Sequence, residues 1–124
     1  MPPTNVAFFR DPDGRSRVVE WLEALRTRDS LAYAKCRAAI KRLEEVGHEI
    51  RRPTSDFLRD GIHELRARKG RVNYRLLYLF HGRSVAIVAH GLTKEDAVPP
   101  ADIQRALRCK AAFEADPHRH TYEE

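Results

Sequence analysis

The chain is poor in several features that announce common functions. It has only two cysteines, Cys36 and Cys109, in 124 residues. They fall on expected helices far apart in the sequence, with no export signal, so buried free thiols are expected rather than a disulfide. No apolar run approaches the roughly 18 residues a membrane span needs. The opening MPPTNVAFFRDPDG lacks the apolar core of a signal peptide, which makes a cytoplasmic location the default. There is no glycine-rich phosphate loop, no Cys/His pair at zinc spacing and no serine in a nucleophile elbow. These absences exclude the P-loop, structural-zinc and Ser/His/Asp hydrolase readings. His118 and His120 offer at most an adventitious metal contact, since residues 118–124 read as a polar, frayed tail. No internal repeat or low-complexity segment occurs.

Hydrophobic residues make up 42% and charged residues 33% of the chain, which fits one domain with a single modest core. The formal charge is +5, from 23 Lys+Arg against 18 Asp+Glu. Its distribution matters more than its size. From Arg51 to Arg83 there are nine arginines and lysines against only Asp56, Asp60 and Glu64. A basic stretch of this kind suits a polyanionic partner such as nucleic acid, although a solvated surface has the same composition.

Local patterns give an element order. Val6–Phe9 is a short β-prone run ended by the turn Asp11-Pro12-Asp13-Gly14. Ser16 is placed to cap a helix through Arg28, with Val18, Trp21, Leu22 and Leu25 on one stripe. Ser30 is placed to cap a second, where Cys36, Ile40, Leu43 and Val46 recur at helical spacing until Gly47. His48–Asp60 reads as a linker with Phe57 and Leu58 tucked inward. Three strands follow, Ile62–Arg68, Val72–Phe80 and Val85–His90, with glycine-bearing turns between them. A loop from Thr93 to Pro100 leads into a last helix to about Ala115, with Ile103, Leu107 and Lys110 on one face and Pro117 as its stop. The order β-α-α-β-β-β-α is an α+β domain: a small antiparallel sheet, a helical hairpin packed on it, and a C-terminal helix.

Strand alternation sorts the central side chains by face. Ile62, Glu64 and Arg66 share one side, and His63, Leu65 and Ala67 the other. Tyr74, Leu76, Tyr78 and Phe80 alternate with Asn73, Arg75, Leu77 and Leu79. If Leu65, Tyr74, Leu76 and Tyr78 face the helices, then Glu64, Arg66 and Arg75 meet on the opposite side. Both sets on the second strand are largely apolar, so the pattern alone leaves that choice open. The plainest reading of such a meeting is a surface ion pair worth at most ~1 kcal/mol.

Three motifs in order carry a resemblance. Gly61-Ile62-His63-Glu64-Leu65-Arg66, then Tyr74-Arg75-Leu76-Leu77-Tyr78, then His90-Gly91-Leu92-Thr93-Lys94 ahead of two prolines and a helix, resemble the RelE/ParE toxin superfamily in its phage-derived, HigB-like branch. The resemblance runs from Trp21 to about Asp116. It implies the toxin of a type II toxin-antitoxin system, which enters the ribosome, cuts mRNA without a metal or other cofactor, and is held inactive by a helix-turn-helix antitoxin. Cleavage by the RNA's own 2′-hydroxyl needs a base, an acid and cations for the charge on phosphorus. Under the resemblance Glu64, Arg66, Arg75 and Lys94 form the catalytic set, with Arg68, Lys69, Arg71, Tyr74 and His90 as RNA contacts. Arginine holds phosphate but does not serve as a base. Glu64, His63, His90 and Tyr74 are the candidates for proton transfer, and parity favours Glu64 over His63. The sequence departs from the family pattern where lysines are usual: Ile62 and Glu64 on the first of the three strands, and Glu95 after Lys94, followed by Asp96. These changes remove positive charge and make phosphate holding the firmer expectation. Two other readings accompany the family, a ParE-like inhibitor of DNA gyrase and a degenerate antitoxin-binding domain.

Overall fold

A computed structural model describes residues 3–93 and 97–124. The elements are β1 (Asn5–Phe9), α1 (Arg17–Arg28), α2 (Ser30–Val46), a 3-10 turn (Gly47–Glu49), β2 (Ser55–Arg59), β3 (Ile62–Lys69), β4 (Val72–His81), β5 (Val85–Thr93), α3 (Pro100–Ala115) and β6 (Thr121–Tyr122). The fold is α+β, with the helical hairpin and C-terminal helix expected. The sheet has six strands in the order β2-β3-β4-β5-β1-β6. It is mixed rather than purely antiparallel, because β1 runs parallel to β5. Among the described residues no helix is long and apolar enough to cross a membrane.

Local chemistry sets the helix ends. The Ser16 hydroxyl donates to the Phe9 carbonyl at 2.8 Å and accepts from the Val19 N–H, so one side chain fixes the start of α1 to the end of β1. The second helix is capped by Asp29 rather than by Ser30, since the Asp29 carboxylate accepts from the Ala32 N–H at 3.1 Å. Asp29 is also the C-cap of α1, so the two helices share a single hinge residue. Gly47 closes α2 at φ 54°, and a Cβ there would run into Thr4.

Both faces of the sheet are buried, which explains why both side-chain sets of β4 are apolar. On the hairpin side, Leu65, Leu76 and Tyr78 pack with Leu22, Leu25, Ile40 and Leu43. On the other side, Ile62, Leu77, Leu79 and Ile87 pack with Ala106 and Phe113 of α3. The hairpin-facing choice for Leu65, Tyr74, Leu76 and Tyr78 is therefore the correct one.

Two segments read as irregular are strands. The expected linker contains the edge strand β2, and there Phe57 stands 57% exposed instead of turning inward, while Leu58 packs beside the α3 core. The phase of the pairing decides this, because Phe57 lies opposite His63, on the hairpin face but below the end of α2. The tail is also tied down. β6 pairs with β1, His120 is buried and stacks on Phe9 at 5.1 Å, and its Nδ1 lies 2.8 Å from the Arg10 carbonyl oxygen.

Candidate functional site

Pairing of β3 with β4 sets Arg66 directly opposite Arg75. Two like charges at such a position repel, yet here both close on one carboxylate. Glu64 Oε1 accepts from Arg66 Nε at 2.7 Å, and Oε2 accepts from Arg75 Nη1 at 2.7 Å. The side chains of Glu64 and Arg75 are 3% and 9% exposed, whereas that of Arg66 is 31% exposed. Arg66 continues outward to Asp56, with Nη2 at 3.0 Å from Oδ2, and Arg52 meets the same oxygen at 2.8 Å. The hydrogen bond from Arg52 leads the effects that hold the Asp56 carboxyl below its ordinary range. The result is an alternating chain, Arg52–Asp56–Arg66–Glu64–Arg75, running from the edge strand inward.

This arrangement changes the chemistry available to Glu64. Each of its oxygens already accepts from a guanidinium, so it is placed as a strut that sets two arginines in a fixed relation, and not as an open base. The cationic face is also narrower than the sequence suggested. The core under α3 covers Ile62, Leu77 and Leu79, leaving Arg66 as the more accessible member of the pair.

His90 reaches the same face through a β-bulge. The register between β4 and β5 shifts after Val88, so that Tyr78 pairs with Val88 and Leu77 with His90. The extra residue, Ala89, re-phases the strand. His90 and Leu92 then point toward α3, and Gly91 toward α1, where a Cβ would strike the Trp21 ring. His90 Nε2 lies 2.7 Å from Asp102 Oδ1 in the first turn of α3. Glu64, Leu77 and His90 form one cross-strand row, which puts His90 two strand spacings, about 10 Å, from Glu64. Its ring lines a cavity of about 430 Å³ together with Arg17, Trp21, Arg105 and Arg108.

The remaining expected residues separate. Tyr74, expected to contact RNA, is buried in the hairpin core on the face away from Arg66 and Arg75. Lys69, also expected to contact RNA, is engaged by Asp29, with Nζ at 2.6 Å from Oδ2, and so fixes the β3–β4 turn to the helix hinge. Arg68 and Arg71 are exposed at that turn, and Arg68 Nε donates to the Gly70 carbonyl. Lys94 lies outside the described residues, as do Glu95 and Asp96. His63 faces the hairpin side, stacked on Tyr78 at 5.2 Å, and burial holds its pKa below the ordinary value, with His48 adding to the effect. Sequence reasoning missed Arg52, Asp56 and Asp102, whose place in the site is set by pairing across the fold, Asp56 with Arg66 and Asp102 with His90.

Among the described residues no group of three His, Cys, Asp or Glu side chains converges to hold a metal. The Cys36 and Cys109 thiols are free, and burial pushes each up to about 11, which keeps them protonated and unreactive at neutral pH.

No curated protein matches the chain. The family described as Phage derived protein Gp49-like (DUF891) matches residues 20–111, from α1 into α3 and through every strand of the arginine face. That match spans roughly three quarters of the sequence, and the chain therefore belongs to the phage-derived Gp49-like family, a RelE/HigB-like toxin family.

Proposed function

We propose that this protein is the toxin of a type II toxin-antitoxin pair that cuts mRNA on the ribosome by activating the RNA's own 2′-hydroxyl. The observation that carries this reading is the Arg66–Arg75 pair, set directly opposite and held on Glu64. A fold has no need to bring two guanidiniums together across a strand pair, whereas a phosphate in transition to a phosphorane does. Arg66, the more accessible, contacts the phosphate oxygens, and Arg75 adds charge behind it. Lys94 supplies a further cation in this reading. His90, with one ring nitrogen held by Asp102, carries the proton, because a histidine oriented by a carboxylate is suited to both acid and base work. The cations are the protein's own, so the step as written uses no metal. The partner that silences the protein is a helix-turn-helix antitoxin presenting acidic groups to the same arginines.

The test is a reconstituted translation reaction with ribosomes, mRNA and tRNA, with cleavage read as new mRNA 5′ ends. Arg66→Ala is expected to lower the cleavage rate by about a hundredfold, with its fold checked by circular dichroism. If the wild-type protein yields no 5′ ends above those of Arg66→Ala, the reading is wrong. Inhibition of gyrase supercoiling by the same preparation would then move the assignment to the ParE-like activity.

A further inference from the structure

We propose that the hairpin-side surface around Phe57, His63 and Phe80 is a stacking platform for unpaired bases of single-stranded RNA, with Arg51 and Arg52 facing its backbone. The choice of RNA over other polyanions rests on the function proposed above.

The platform exists because α2 stops short. The helix covers the sheet at Ala67, Tyr74, Leu65, Leu76 and Tyr78 and ends at Gly47, so that of the cross-strand row Phe57–His63–Tyr78 only Phe57 and part of His63 are left uncovered. That row and the neighbouring Phe80 form a continuous set of rings. His63 lies over Tyr78 with centroids 5.2 Å apart, meets Phe57 edge-on at 5.1 Å and Phe80 edge-on at 5.3 Å. His48 stacks on Phe80 at 3.7 Å and 20°. Among the described residues, Phe57 and Leu31 are the only large hydrophobic side chains left exposed. A phenylalanine so placed forgoes most of the free energy that burial within the fold provides.

The surroundings indicate what covers it. Phe57, His63 and Phe80 border a cavity of about 470 Å³ whose rim carries Arg51 and Arg52. Arg51 rests on the carbonyls of His48 and Ile50, and among the described residues no carboxylate pairs with it. The one acid on the rim, Asp56, is already bridged by Arg52 and Arg66. The depressed pKa of His63 keeps that ring neutral at pH 7. Aromatic faces beside cations are the combination that binds single strands, since every base offers a π-face and every linkage a charge. An aromatic patch for a protein partner needs no such excess of positive charge. The platform is also joined to the arginine pair. Arg52 stands on its rim and shares Asp56 with Arg66, so a strand laid across the rings and around edge strand β2 arrives at Arg66.

The experiment measures binding of a fluorescently labelled, fully 2′-O-methylated oligouridylate, which has no 2′-hydroxyl to attack, by anisotropy. The exposed site permits substitution without loss of fold, checked by circular dichroism. Phe57→Leu is expected to weaken binding about tenfold and Phe57→Trp to retain it. Arg51→Ala is expected to lower the slope of log affinity against log salt by about one. Wild-type affinity in Phe57→Leu would overturn the proposal, as would equal binding of a duplex of the same backbone. Failure of ribosomal cleavage combined with Phe57-dependent binding would sink the nuclease reading and leave the platform standing. Undiminished cleavage and binding by Phe57→Leu would do the reverse.

Discussion

At the scale of single residues, the central fact is electrostatic. Arg66 and Arg75 face one another, and the carboxylate between them is almost wholly withdrawn from solvent. Such a clasp adds little net stability compared with an apolar replacement, but opening it leaves charge buried without compensation. Glu64→Gln keeps the shape and removes the charge, and is expected to cost about 3 kcal/mol in urea unfolding. Adding Arg75→Met to that variant is expected to recover much of the loss, because the repulsion disappears with one of its sources. A Glu64→Gln protein with the wild-type urea midpoint would show that the carboxylate is not what holds the pair.

At the scale of elements, Asp29 joins more than its size suggests. It ends α1, begins α2 through the Ala32 N–H, and receives Lys69 from the β3–β4 turn. The hydrogen bond from Lys69, followed by that from the Ala32 N–H, lowers its pKa. A carboxyl whose folded pKa is depressed contributes stability that is present above its unfolded value, about 3.9, and is lost as pH falls through the folded one. Asp29→Asn keeps a cap acceptor and loses the charge. It is expected to melt a few degrees below wild type at pH 7, with the gap closing as pH falls below about 4. A gap that persists unchanged at pH 2.5 would mean that the ion pair is not its source. The helices and hairpins themselves were legible from sequence, because apolar spacing and turn glycines are local signals. Placing the cap on Ser30 was an error of one residue, made because the helices share a residue where the pattern implied two. The bulge at Ala89 was not legible, since it belongs to the pairing of β4 with β5 and leaves no mark in the alternation of β5 alone.

At the scale of the molecule, the C-terminal segment closes the sheet. β6 covers the outer edge of β1, and His120 fills the space beside Phe9. An uncovered edge invites pairing with another copy. Removing residues 118–124 is expected to cost roughly 2 kcal/mol in buried area and to promote self-association, read by calorimetry and sedimentation. A truncated chain that melts and sediments as the full one does would assign no structural role to the tail. Composition made that segment read as frayed because its residues are polar, and polarity says nothing about an edge waiting elsewhere in the chain.

The sequence by itself determined the α+β order, the helical hairpin, the three central strands and the fact that Glu64 and Arg66 share one side, whereas the pairing of β3 with β4 brought Arg75 to join them. Each of the former follows from a period of 2.0 or 3.6 residues, which the backbone imposes wherever the chain is extended or helical. Only the tertiary structure decided which of those charges are accessible, that Glu64 is held by both arginines, that Asp102 meets His90, and that Phe57 stands in solvent beside a cationic rim. Periodicity fixes the side of a strand on which a residue lies, but not what covers that side. Coverage depends on where α2 stops, where α3 lies and how neighbouring strands register, and those are set by packing between segments that the sequence keeps far apart.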